Sequence, residues 1–274
     1  MRISRREKGV NYVILSFFAL FALLPLVGVL FSSVLPPKTN DGGFHIPTTI
    51  DLGNYTAAWT QGHFATYMFS SILVTISVVI LTVVLSVLAG FAFARLDFFG
   101  SSAIFFILLG GLLLPAEAFI IPLYFNLRSI GLTDTYEGLI LPQTAQSVAF
   151  GVFWIRTQFR AFPSDIIEAA RVDGATDFRL LWQIIVPPSI PAIMTMCVLV
   201  AMWTWNEFLI PLVMIVDDSK RTAPLGLAFF KGAHLTDYSL LSAGGVIVAL
   251  PIVILYFFLQ RRFISGMVGG ISEK

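Results

Sequence analysis

Charged residues divide this chain into long apolar stretches. The gaps between them hold 29 uncharged residues from Lys8 to Lys38, 43 from Asp51 to Arg95, and 19 from Asp97 to Glu117. Three more hold 18 from Glu137 to Arg156, 27 from Arg179 to Glu207, and 23 from Asp237 to Arg261. The second gap is continuously apolar only from about Tyr67. The third runs on past Glu117 to about Phe125, and the fifth past Glu207 to Val216. A helix needs roughly 20 apolar residues to cross the hydrocarbon layer. The pattern therefore predicts an all-α integral membrane protein with six transmembrane helices, at about 11–33, 67–94, 102–125, 138–158, 186–216 and 241–260. These form one transmembrane domain over residues 1–274, with no separate soluble domain.

Composition narrows the class. Of 274 residues, 57% are hydrophobic and 12% charged, against about 45–50% and 25% in soluble domains. Mean hydropathy is +0.87. A soluble enzyme, a disordered chain and a disulfide-framed secreted module are excluded. The single cysteine, Cys197, lies in an apolar run and reads as packing. A net charge of +1 argues against nucleic acid as a partner.

The placement of charge sets orientation. With the N-terminus in the cytoplasm, that side carries Arg2, Arg5, Arg6, Lys8, Arg95, Arg156, Arg160, Arg171, Arg179, Arg261, Arg262 and Lys274, twelve of the seventeen basic residues. The outer side carries Lys38, Arg128, Lys220, Arg221 and Lys231. Basic residues accumulate on the cytoplasmic side, so both termini are expected there. The first apolar run is longer than the ~7–15 residues of a signal-peptide core, and no small-residue cleavage site follows, so it reads as a span. Its Pro25 and the prolines of later spans, such as Pro115, Pro122, Pro142, Pro191, Pro211 and Pro251, read as packing features and kinks.

The segment between the fourth and fifth spans is longer than a plain connection requires. It runs from Phe162-Pro163-Ser164-Asp165 to Leu181-Trp182 and has helical punctuation of its own. Asp165 followed three residues later by Glu168 resembles a capping box. A short helix then reaches Gly174, a C-terminal stop. Thr176 is placed to cap a second helix with Asp177 in its first turn, before Pro187-Pro188 interrupts the chain. Ile167, Ala170 and Gly174 share one face at i, i+3, i+7. Resting on lipid headgroups is one use for such a helix, but Asp165, Glu168 and Asp173 against the single Arg171 suit a protein partner better.

The motif Glu168-Ala169-Ala170, three residues, Gly174, nine residues, Ile184, one residue, Val186-Pro187 resembles the EAA loop of bacterial ABC-importer permeases. The usual pattern ends in Leu-Pro, where this chain has Val186-Pro187. The likeness extends to Leu88–Arg95 with Phe99-Gly100, Ile121-Pro122-Leu123-Tyr124, Gly131–Thr135, Leu139–Pro142, Trp205-Asn206-Glu207-Phe208 and Gln260–Gly266. Together these resemble the shorter six-helix partner of the two permeases in the maltose-type carbohydrate subgroup. The tail from Met267 to Lys274 departs from the commoner small-residue ending, which leaves tail contacts open.

The resemblance implies the ABC-importer permease (MetI-like) fold and a place in a bacterial cell membrane. It implies three kinds of partner besides membrane lipid: a second homologous permease, two ATPase subunits, and an extracytoplasmic substrate-binding protein. ATP and Mg would be bound by the ATPases, with no cofactor in this chain. This agrees with the absence of a Walker-type phosphate loop from the sequence. The coupling residues would be Ile167, Glu168, Ala169, Ala170, Asp173 and Gly174, within a loop at 163–182. Glu168 reads equally as a helix cap. Glu117, Trp205, Asn206 and Glu207 are candidate pathway residues, since ionisable groups in spans face cavities or partners. A hydrogen-bonded carboxyl near the outer end of a helix is the plainer reading of both glutamates. Asp217, Asp218 and Lys220 open an outer loop at 217–240 that resembles the segment reaching into the binding protein; a solvated connection stands beside that. His45, His63 and His234 form no metal pattern. Two other functions remain to be set against a carbohydrate importer. A self-sufficient secondary transporter would favour an internal repeat, and none is seen. An intramembrane enzyme would need paired catalytic groups.

Overall fold

The computed structural model describes residues 5–37, 41–113, 115–231 and 236–268. Helices dominate, and the described residues contain no strand, only one antiparallel bridge between Lys231 and Thr236. The α-helices are α1 Arg5–Val34, α2 Gly53–Gln61, α3 Phe64–Arg95, α4 Ser101–Leu112, α5 Ala116–Ser129, α6 Glu137–Arg160, α7 Ser164–Val172, α8 Asp177–Arg179, α9 Val186–Asn206, α10 Leu209–Met214, α11 Ala223–Gly226 and α12 Tyr238–Val268. Among the described residues, five segments are long and apolar enough to cross a membrane: Glu7–Val34, Phe64–Arg95, Glu137–Arg160, Asp177–Asn206 and Tyr238–Phe258.

The third expected span, 102–125, is not one straight helix. It is divided between α4 and α5, which meet at 105° and make a sixth crossing only as a bent pair. Pro115 supplies no N–H and takes an extended ψ of 124°, so α5 starts afresh after it. The fifth, 186–216, also breaks. Helix α9 stops at Asn206, Glu207 is extended at ψ 124°, and α10 restarts the helix. Helix α9 is joined to α8 through a π-helical stretch, Leu180–Ile185, in which the N–H of Val186 reaches back to the carbonyl of Leu181. The rings of Pro187 and Pro188 crowd the carbonyls four residues earlier, which favours a widened turn there.

The chain forms two compact units. In the one made of residues 1–65 and 225–251, the buried Asn54 donates to the carbonyls of Ser33 and Leu35 at 3.0 and 2.9 Å, satisfying the end of α1. The other, residues 66–224 and 252–274, holds a core that includes Val74, Val78, Phe91, Leu139, Ile155, Phe159, Ile167, Ile185 and Met196. Helix α3 shows why it folds this way. Its inner face carries Tyr67, Ser71, Val74, Val78, Thr82 and Ser86, and its outer face Phe69, Ile72, Ile76 and Ile80. The hydroxyls of Ser71, Thr82 and Ser86 are kept inside among Tyr67, Val74 and Val78 while the large apolar side chains face out, and the small residues on the inner face let helices approach closely. At Gly90 an added Cβ would lie 2.8 Å from Ile155 Cγ2 and 3.2 Å from the backbone nitrogen of Arg156. Gly90→Val should therefore push α3 off α6, costing ~1–3 kcal/mol by overpacking. Lower thermal stability of the detergent-solubilised protein is the expected readout.

Candidate functional site

The segment after α6 folds as helix, turn, helix. Pro163, extended at ψ 129°, precedes α7 and no side chain caps it. The expected capping box is absent: the helix begins at Ser164, so Asp165 and Glu168 stand at its second and fifth positions. Asp165 still favours the positive end of the helix, whereas Glu168 is exposed and leaves its carboxylate to solvent or a partner. Helix α7 ends in a Schellman motif. The N–H of Gly174 bonds the carbonyl of Arg171 at 3.0 Å, and that of Ala175 bonds Ala170 at 2.9 Å. Gly174 has φ +81° with nothing within 4 Å of an added Cβ, so its requirement is conformational, not steric within the chain. Thr176 Oγ1 accepts from the N–H of Arg179 at 3.4 Å and caps α8. Arg171 and Asp177, 3.4 Å apart, lie across the turn.

The face expected to meet a partner is divided differently. Ile167 is buried at 6% exposure and belongs to the core, and Ala170 packs against it. Burying an isoleucine is worth ~1.5–3 kcal/mol, so this side anchors the loop to its own chain. The outward side carries Ile166, Glu168, Ala169, Val172, Asp173, Gly174 and Phe178. Val172 is 88% exposed and Phe178 73%, an apolar pair among acids. The anchoring is completed by Arg95, the last residue of α3, whose Nη2 donates to the carbonyls of Phe159 and Phe162. In the sequence Arg95 is one of the twelve basic residues on the expected cytoplasmic side and the end of the Leu88–Arg95 stretch; its position closing an apolar span is the only signal there of a tie to the loop.

The candidate pathway residues separate. Glu117 is exposed in the first turn of α5, at the break between helices and not within a continuous span. Glu207 is half-buried, and its Oε1 accepts from the N–H groups of Leu209 and Ile210 at 2.9 and 3.0 Å, so it caps α10. Asn206 donates to the carbonyl of Met202 at 2.8 Å, and Trp205 is buried. None of the four lines the cleft of about 320 Å³ bounded by Phe119, Ile120, Leu123, Pro142, Gln146 and Ile210. Gln146 was not singled out from sequence. The signal was the uncharged polar run Gln143-Thr144-Ala145-Gln146-Ser147, which counting charges passes over.

In the segment that follows α10, Asp217, Asp218 and Lys220 are engaged within the chain. Asp134, left-handed at φ 60°, accepts from the N–H groups of Val216 and Asp217 at 3.1 and 2.9 Å. Its carbonyl accepts from Lys220 Nζ at 2.9 Å. Tyr67 donates to Asp218 at 2.6 Å, and Arg221 pairs with Asp218 at 3.2 Å. The backbone N–H of Ser219, its hydroxyl, and then Lys220 hold Asp217 below the usual carboxylate range. The opening of the loop at 217–240 is thus strapped down, not free. Residues 232–235 of that loop lie outside the described residues.

Residues 83–268 match the family described as the binding-protein-dependent transport system inner membrane component. The chain is 34% identical to the probable ABC transporter permease protein YurM of Bacillus subtilis, over 94% of this chain and 86% of the relative. It is 33% identical to the arabinooligosaccharides transport system permease protein AraQ of Halalkalibacterium halodurans, over 94% of each. Among solved structures it resembles a chain of a bacterial ABC transporter involved in the import of the acidic polysaccharide alginate, with a TM-score of 0.80 and 25% identity, over 96% of this chain and 99% of that one.

Proposed function

The chain belongs to the binding-protein-dependent transport system inner membrane components, a family of multi-pass transport subunits, and from that premise we propose that it forms half of an ATP-driven import pathway for a sugar or oligosaccharide. A second, related permease completes the pathway. Two cytoplasmic ATPase subunits bind ATP and Mg²⁺, and an extracytoplasmic binding protein delivers the solute. The names of the arabinooligosaccharide and alginate relatives support carbohydrate as the cargo.

One observation carries the coupling assignment. The segment 163–182 is anchored to the chain's own core on one side and presents an exposed face of acids and apolar side chains on the other. Such a knob seats in a cleft of an ATPase. Closure of the ATPase dimer then drags the knob, and the helices joined to it move as rigid bodies. The proposal places 163–182 and both termini in the cytoplasm, in keeping with the twelve-to-five division of basic residues.

Orientation is tested by labelling after Cys197→Ser. Cysteines introduced as Asp41→Cys and Ile130→Cys should react with a membrane-impermeant maleimide in intact cells, with the outer membrane opened where one is present. Asp173→Cys should react only once the cytoplasmic membrane is permeabilised. Labelling of Asp173→Cys from outside would remove the segment from the ATPase side and overturn the reading. Co-purification of the chain with an ATPase that the carbohydrate-loaded binding protein stimulates is the matching functional test.

A further inference from the structure

Two arginines cross between α3 and α6 where these helices approach the 163–182 segment. Arg95 of α3 uses one nitrogen, Nη2, to donate to Phe159 at 2.5 Å and Phe162 at 2.6 Å. Arg156 of α6 returns the contact, its Nε donating to the Phe93 carbonyl of α3 at 3.2 Å. Its guanidinium carbon lies 3.8 Å from the centre of the Phe105 ring on α4. The Phe93 and Phe105 rings are themselves 5.6 Å apart.

The placement matters because of what those carbonyls belong to. Phe159 is in the last turn of α6, where a cation is favoured; its carbonyl also accepts the N–H of Phe162 at 3.4 Å, so the guanidinium adds a second donor there. Phe162 immediately precedes Pro163, the residue that opens α7. A single guanidinium thus bonds both the end of one transmembrane helix and the entrance to the coupling segment, and it is carried by a different transmembrane helix. Arginine stays charged at any working pH. By covalent connection alone, a displacement of α7 reaches α6 and, through α8, α9. Nothing in the chain's connectivity delivers it to α3.

We propose that Arg95, with Arg156, is a positioning clasp that joins α3 to the coupling segment, so that movement of the knob carries α3 together with α6. The proposal rests on the assignment of 163–182 as the ATPase contact. It gives Arg95 a role in transmission and none in touching ATP or solute. Both of its bonds pass through one nitrogen, so a lysine ammonium, with three donors on one nitrogen, can reproduce them; at a true two-nitrogen fork it could not.

The test uses the whole complex reconstituted with its ATPase and binding protein. Membrane amount, ATPase association, basal hydrolysis and stimulation by loaded binding protein are read for each variant. Arg95→Ala should keep the first three and lose roughly two- to thirty-fold in stimulation, the span over which coupling residues act. Arg95→Lys should restore most of it. If Arg95→Ala fails to accumulate, Arg95→Gln takes its place. Wild-type stimulation in Arg95→Ala, alongside an uncoupled Gly174→Val, overturns the clasp and leaves the coupling segment standing. Wild-type behaviour of both variants overturns both. Loss of protein from the membrane in both neutral variants, loss of ATPase association, or no rescue by lysine reduces Arg95 to a structural part and overturns the proposal.

Discussion

Gly174→Val is expected to leave normal amounts of protein in the membrane while abolishing the stimulation of ATP hydrolysis by loaded binding protein. The residue sits at φ +81°. A β-branched side chain in the left-handed region costs ~1–3 kcal/mol, and the two bonds that close the end of α7 depend on that conformation. The cost falls on a segment outside the membrane, so it displaces the knob without unfolding the spanning helices. The open space beside Gly174 makes the cause separable. Asparagine tolerates the left-handed region, so Gly174→Asn should retain most coupling if conformation is what matters. Equal loss in Gly174→Asn and Gly174→Val would mean that the partner itself fills that space. Wild-type stimulation in Gly174→Val would sink the coupling assignment and return the segment to a helix resting on lipid.

The second large effect is expected at Glu207. Its carboxylate satisfies two N–H groups at the start of α10. Removing it in Glu207→Ala strands them within a membrane-spanning region, at ~1–3 kcal/mol for each unsatisfied donor. Helix α10 should lose its first turn, and both thermal stability in detergent and carbohydrate uptake should fall. Glu207→Gln keeps an acceptor oxygen in place and should stay near wild type in stability. A direct role in holding solute predicts another pattern, with unchanged stability in Glu207→Ala and raised half-saturation in both variants. That outcome would replace the cap with a binding role.

These two residues also show how differently sequence and structure contribute. Gly174 stood out in the chain because the motif around it has fixed local spacing, and a helix stop is a local property: the left-handed turn, the Schellman bonds and the Thr176 cap all join residues within a few positions of one another. Glu207 could be seen as unusual, an acid in an apolar run, but its cap became visible only with the break between α9 and α10. The same holds for Glu117, which opens α5 after the bend that charge gaps could not reveal. A proline within an apolar run is compatible with a kinked, a broken or an unbroken span, and neighbouring helices decide among these.

What the sequence determined by itself was the all-helical membrane class, the positions of most spans and the helix-Gly-helix segment, because each follows from hydrophobic length or short-range backbone chemistry. What the tertiary structure decided was which side of each element is used. Ile167 and Ala170 turn inward, while Val172 and Phe178 remain outside. Asp217, Asp218 and Lys220 are tied to Tyr67 and Asp134, more than 80 positions away in the chain. Arg95 holds carbonyls more than 60 positions away. Backbone carbonyls carry no mark in a sequence, since every residue has one, and which of them lies open to a distant side chain depends on where helices end and how closely they pack.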